Sequence, residues 1–313
     1  MKKLIDLHLH LDGSLSLKAV KRLAEMQNIN LKENDEQLWD KLTVSDTCRD
    51  LNEYLQRFDF PCSLLQTEEA IEFAVYNLQE ELKSMGLAYA EIRFAPQKHL
   101  EKGLTQFQVV EAAVRGLNKS DFNCGLILCC MRGNDNFKEN RETILIAGEF
   151  LNRGVCAIDL AGAEALFPTE NFKELFVLAK NNNIPFTIHA GEAMGAESVK
   201  VAVELGAKRI GHGIRCVEDM ELVKCIAENN IVLELCPTSN LNTNVYTCLE
   251  EYPLKKLLDM GVKVTVNTDN MTVSKTTLKR ELELVKNALS LSDREIEKIC
   301  DNAVFGAFSK SFM

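Results

Sequence analysis

Eight short apolar runs, each followed by a longer amphipathic stretch, limit this chain to folds built on a parallel sheet. The runs are Leu4–His10, Ala88–Phe94, Gly125–Met131, Val155–Leu160, Pro185–His189, Arg209–His212, Ile231–Leu235 and Val262–Thr268. They are rich in Val, Ile and Leu, and several lack polar alternation, as strands covered on both faces require. The stretches between them carry helical periodicity. Ala70, Ile71, Ala74, Val75, Leu78 and Leu82 trace one face and Gly86 stops it. Thr105-x-x-Gln108 and Ser292-x-x-Glu295 read as capping boxes. Strands alternating with helices imply a parallel sheet. Eight such units close most naturally into an α/β (β/α)8 TIM barrel, with an open doubly wound sheet as the alternative. No linker, repeat or charge run divides the 313 residues, so a single domain over residues 1–313 is expected. Residues Ser14 to Thr67 hold no strand candidate and read as a helical insertion after the first strand.

The formal net charge is −10, and no Lys/Arg run exceeds Lys2-Lys3. A nucleic-acid binder needs a basic face, so the expected partner is a small molecule. Asp6, His8, His10 and Asp12 break any apolar stretch that would make the N-terminus a signal peptide. No segment approaches the ~18 uninterrupted apolar residues of a membrane span. The expected location is therefore cytoplasmic. Eleven cysteines, an odd number without a C-x-x-C spacing, lie mostly in apolar runs and read as reduced core thiols.

In parallel barrels the chemistry gathers at the C-terminal ends of the strands. His8 and His10 end the first run, Asp159 lies near the end of the fourth, His189 ends the fifth, His212 the sixth, and Asp269 follows the eighth. Residues i and i+2 of a strand share a face, so His8 and His10 enter the barrel together and can share one metal. Glu192 follows His189 by three residues, beyond Gly191, and supplies a carboxylate for proton transfer. Each element alone fits an ordinary structural role: a core His, a solvated loop Glu, a turn His between glycines, an Asp at a helix N-cap. Their combination is more telling, because four of only five His lie at strand ends and His99 alone falls outside. Three imidazoles and a carboxylate suit Zn²⁺, with Fe²⁺, Co²⁺ or Mn²⁺ also compatible. Such an ion lowers the pKa of bound water to about 7.

At these residues the chain resembles the adenosine deaminase family. Leu7-His8-Leu9-His10-Leu11-Asp12-Gly13-Ser14 is similar to the family's amino-terminal signature, His189-Ala190-Gly191-Glu192 to its central motif, and Gly211-His212-Gly213 to its third. Glu91 to Pro96, Leu128 to Arg132 and Asp159 to Gly162 match as well, in the same order and spacing. The resemblance implies a (β/α)8 barrel and one Zn²⁺ per chain held by His8, His10, His189 and Asp269. It also implies that His212 orients the hydrolytic water and stabilises developing charge, and that Glu192 protonates purine N1. Gly162 would offer its backbone N–H to N3. Asp12 and His10 would lie near the ribose, and Leu51, Tyr54, Leu55, Phe58 and Met131 would form the apolar lid and wall over the sugar. The implied reaction is deamination of adenosine and 2′-deoxyadenosine to inosine and 2′-deoxyinosine plus ammonia, in purine salvage.

Two positions depart from the family pattern. Asn270 stands where a second Asp is usual, and Ala163 where an acidic residue is common. The second Asp contacts purine N7, an acceptor, so it must be protonated to donate; an Asn amide donates without protonation. Asn270 keeps purine recognition while opening a second reading, deamination of another 6-aminopurine such as adenine or a modified nucleoside. A nucleoside-binding protein without catalysis is the third reading, and the intact Glu192 and four ligands argue against it. A Cys-coordinated zinc deaminase is excluded by the missing H-x-E and P-C-x-x-C pair.

Overall fold

The computed structural model describes residues 3–45 and 47–309. Its eight strands are β1 (Ile5–His10), β2 (Tyr89–Phe94), β3 (Cys124–Met131), β4 (Val155–Ala161), β5 (Thr187–Ala190), β6 (Arg209–His212), β7 (Val232–Leu235) and β8 (Lys263–Val266). All eight coincide with the runs read from the sequence, shifted by at most a few residues at their ends. Nearly every strand residue is buried, because helices cover the outside while side chains fill the inside.

The strands pair in chain order and in parallel, as two four-stranded sheets, β1-β2-β3-β4 and β5-β6-β7-β8. Single bridges join the sheets at both seams: Ile158 with Phe186 between β4 and β5, and Leu9 with Asp269 between β1 and the segment after β8. This is the strand order of a (β/α)8 barrel, with the continuous ladders interrupted at the seams. The doubly wound alternative would need a reversal of strand order, and there is none. The β1–β2 register shifts between Asp6 and Leu9. Such bulges occur next to active sites, where they re-aim a side chain, and this one falls at His8.

The connecting helices form where periodicity places them. The helix Glu68–Ser84 buries the six apolar residues of its predicted face, and Thr67 caps its first turn by accepting from Ala70 N. Both predicted capping boxes are present, at Thr105/Gln108 and at Ser292/Glu295. Among the described residues no helix is long and apolar enough to cross a membrane. The insertion after β1 holds four helices, Leu17–Met26, Asp35–Leu42, Leu51–Leu55 and Asp59–Leu64. It docks back on the barrel mouth. Val44 N donates to Val273 O (2.9 Å), the Tyr54 and Ser274 hydroxyls pair at 2.7 Å, and Asn244 Nδ2 donates to Cys48 O (2.7 Å) and Arg49 O (3.0 Å).

His99 is buried at the end of a short turn, with its ring 6.0 Å from that of Phe94. Burial lowers its pKa from 6.5 to about 4. The unfolded chain therefore binds a proton here at a higher pH than the folded one, so this residue makes stability rise with pH between those values. A His99→Leu variant should show a flatter stability profile between pH 4 and 6.5. The parent-minus-variant difference should reach about 3 kcal/mol across that window, measured by denaturant unfolding at several pH values.

Candidate active site

The bulge in β1 and the end of β5 bring three imidazoles into one space. His10 Nε2 lies 3.2 Å from His189 Nε2. Asp269 Oδ1 lies 3.4 Å from both His8 Nε2 and His10 Nε2. One ligand atom each from His8, His10, His189 and Asp269 falls within 4.8 Å of all the others. Close approach of the rings needs a bare backbone at Gly211, where a Cβ would stand 3.0 Å from His8 Cε1 and 3.2 Å from His189 Cα.

Carboxylates behind two of the rings set which nitrogen faces the cluster. His8 Nδ1 pairs with Glu234 Oε2 at 2.7 Å, so Nε2 faces the cluster; that atom is buried and forms no hydrogen bond. His189 Nδ1 stands 2.8 Å from Asp159 Oδ2, an ion-pair distance, and its Nε2 faces His10. Burial holds the pKa values of His10 and His189 below the ordinary histidine value, although Asp269 and Asp159 pull them the other way. The 3.2 Å between His10 Nε2 and His189 Nε2 is a spacing at which both can ligate one cation. The donor set, neutral imidazole with one carboxylate, is that of a zinc-type site, and the carboxylate–histidine pairs behind it are the usual support of such ligands. The residues present therefore fit a metal ion. Asp269 is kept well below the usual carboxylate range: burial opposes this, but His8, His10 and His212 outweigh it. Its Oδ2 accepts from Ser239 Oγ at 2.6 Å, so Oδ1 faces the cluster.

Behind the ligands lies an ionic layer. Arg93 donates to Asp159 Oδ2 (2.9 Å), Glu234 Oε2 (2.8 Å) and Leu7 O (2.6 Å). Arg209 donates to Glu234 Oε1 and Glu91 Oε2, both at 2.5 Å. All five side chains are essentially inaccessible to solvent.

In front of the ligands is a cavity of about 550 Å³, within the size range of small-ligand sites. Its wall includes His10, Asp12, Leu51, Tyr54, Leu55, Phe58, Met131, Gly162, His189, Glu192, His212, Asp269 and Asn270, so every predicted site residue except His8 borders it directly. His8 lies behind, with Nε2 turned toward Asp269. Glu192 is buried, and its pKa is raised well above the ordinary value, first by burial and then by the charges of Asp269 and Glu164. His212 Nε2 stands 3.5 Å from Glu192 Oε2. On its other side, Asn240 Nδ2 lies 3.1 Å from His212 Nδ1, and the Tyr252 hydroxyl donates to Asn240 Oδ1 at 2.8 Å. Asn240 thus donates to Nδ1, and the proton of neutral His212 sits on Nε2, facing the cavity. The buried amide oxygen of Asn270 makes no hydrogen bond.

A family model described as adenosine deaminase matches residues 4–311. The chain belongs to the adenosine deaminase family. It is 48% identical over 313 residues to an adenosine deaminase of Haemophilus ducreyi, covering 97% of this chain and 91% of that protein. An adenosine deaminase of Enterococcus faecalis is 40% identical over 308 residues, covering 97% and 91%. Among solved structures, an adenine deaminase from Arthrobacter aurescens superposes with a TM-score of 0.88 at 27% identity, over 99% of this chain and 95% of that one. An N6-methyl-AMP deaminase from Arabidopsis thaliana shares the fold, with a TM-score of 0.83 at 23% identity over 99% and 93%.

Several residues around this family's motifs were not singled out from the sequence. Glu234 is the partner of His8, and its only sequence signal is a lone carboxylate inside the apolar run Ile231–Leu235. Asn240 and Ser239, on the helix Pro237–Asn242, orient His212 and Asp269 with no signal beyond following a strand end. Glu164 lies one residue beyond Ala163, where an acid was sought. Glu234→Gln should weaken metal binding about 10- to 100-fold, read by competition with a chromophoric chelator, because an amide cannot hold the Nδ1 proton as a carboxylate does. Unchanged affinity would remove Glu234 from the site's support.

Proposed function

We propose that this chain catalyses the zinc-dependent hydrolytic deamination of adenosine and 2′-deoxyadenosine, giving the 6-oxopurine nucleoside and ammonia. The observation that carries the reading is the convergence, on one cavity, of a three-His, one-Asp cluster and the buried carboxyl group of Glu192, whose surroundings disfavour its charge. Identity of 40–48% to proteins named adenosine deaminase, over 97% of this chain and 91% of theirs, supports it.

A bound Zn²⁺ would be held by His8, His10, His189 and Asp269 and would supply an acidified water at neutral pH. The protein's own groups do the rest. Protonated Glu192 donates to purine N1, which drains electron density from C6 and makes it electrophilic. His212 presents Nε2–H to the attacking oxygen and stabilises charge as it develops there. The C6–O bond forms and the C6–N bond breaks; of the two protons the water gives up, one leaves on the amine as ammonia and the other restores Glu192, whose own proton stays on N1 of the 6-oxopurine. The Gly162 N–H is the donor for N3, and the Asn270 amide is the donor for N7, in a role that needs no proton uptake. Asp12 and His10 take the sugar hydroxyls. Leu51, Tyr54, Leu55, Phe58 and Met131 exclude water, which strengthens each of these polar contacts.

A second reading, a free base or modified 6-aminopurine as substrate, draws on Asn270 and on the similarity to an adenine deaminase. The apolar insertion side of the cavity favours a nucleoside, because a bare base leaves that wall without a partner. Ultraviolet absorbance on adding adenosine, deoxyadenosine and adenine to zinc-loaded protein tests both. The nucleosides should be turned over with the higher kcat/KM; a clear preference for adenine would overturn the choice. Glu192→Gln should bind nucleoside with near-parental affinity and lose about 10²- to 10⁴-fold in kcat. Retained turnover would remove Glu192 from proton transfer.

A further inference from the structure

The segment that carries Glu192 has no regular structure between β5 and the helix Ala196–Glu204, yet four of its five backbone N–H groups are tied to one side chain. Glu164 accepts from four consecutive N–H groups: Gly191 (2.8 Å), Glu192 (3.1 Å), Ala193 (2.7 Å) and Met194 (3.0 Å). A fifth bond comes from Ser198 Oγ (2.5 Å), in the first turn of that helix. Glu164 itself is 1% exposed. It does not itself line the cavity.

Four successive N–H groups converging on one point form an anion nest. The turn that makes it needs a left-handed residue at Gly191 (φ +74°), where a Cβ would also stand 2.4 Å from Val199 Cγ2. A backbone N–H can only donate, so the group filling the nest must accept on both oxygens, which a carboxylate does and an amide does not. The Glu192 side chain itself has only long contacts, from Thr243 Oγ1 and to His212 Nε2, both at 3.5 Å, so the nest is what holds it through its main chain.

We infer that Glu164 is a positioning residue for the reaction: it holds the loop so that the Glu192 carboxyl group meets purine N1. Its charge also lies behind Glu192 and disfavours ionisation there. Ser198 completes the clamp, itself steadied by Thr169 Oγ1 at 2.8 Å, which accepts from Arg132 Nη2 at 2.9 Å; the same Nη2 donates to His189 O at 2.6 Å. The loop bearing the acid and the strand end bearing a metal ligand are thereby fixed to one frame. The inference rests on the deaminase reading.

The test is a double-mutant cycle on the zinc-loaded enzyme with adenosine. Glu164→Gln puts an amide NH₂ against backbone donors, and it should lower kcat about 10- to 100-fold, with KM changed less than about threefold and zinc content unchanged. In a Glu192→Gln background the same change should cost less than about threefold further, because the group it positions is already lost. A purely structural role would instead add its full effect in both backgrounds and would overturn the inference, as would Glu164→Gln with parental kcat. If Glu164→Gln does not fold, Ser198→Ala carries the test: it should lower kcat without raising KM, and parental kcat there would equally overturn the clamp. Failure of the parent chain to deaminate any nucleoside would count against the deaminase reading itself. An active parent with unaffected variants counts against the positioning role alone.

Discussion

The backbone of Asp269 joins the last strand's end to the first. Its N–H donates to His8 O and its carbonyl accepts from His10 N, both at 2.7 Å. The same residue turns its carboxylate onto the Nε2 atoms of those two histidines. Closing the seam and completing the ligand set are thus one structural event. It requires a non-glycine residue at φ +60°, a conformation that costs energy and is kept where surrounding structure over-determines it. His212, at φ +56°, is held the same way at the end of β6. Neither residue is free to relax, and both face the cavity.

Neutral imidazoles in a buried, largely apolar barrel would not by themselves hold defined tautomers. The layer of Arg93, Arg209, Glu91, Asp159 and Glu234 behind them supplies that definition. Two guanidinium groups face three carboxylates, and two of those carboxylates spend an oxygen on an imidazole Nδ1. Breaking one partner of such a buried network is strongly destabilising because it leaves an uncompensated charge. The opposite electrostatic logic rules the acid: Glu192 is buried and backed by the charges of Asp269 and Glu164, which push its pKa well above the ordinary value. One site therefore pushes the pKa of Asp269 down and that of Glu192 up, and environments that drive two carboxyl groups apart in this way are how acid and base roles are divided.

Much of this was legible in the sequence because it depends on short-range rules. Strand positions follow from apolar runs of Val, Ile and Leu, and the pointing of His8 and His10 to one face follows from the two-residue period. Placement of His189, His212 and Asp269 follows from a barrel gathering chemistry at its strand ends. The insertion's docking over the cavity was readable only as an apolar helical segment with no strand. What remained hidden depends on pairing across the fold. Glu234 is 226 residues from His8, and nothing local says which imidazole a carboxylate in β7 will meet. Glu164 acts on backbone N–H groups, which carry no sequence identity. The bulge at His8 and the single-bridge seams arise from how strands of unequal length close on one another.

The account stands on four side chains gathering one cation. Anomalous X-ray scattering collected on either side of the zinc absorption edge, from crystals of zinc-loaded protein, tests that most directly. A single strong peak bonded to the Nε2 atoms of His8, His10 and His189 and to Asp269 Oδ1 is the result expected. No peak there, or a peak held by other residues, would contradict it.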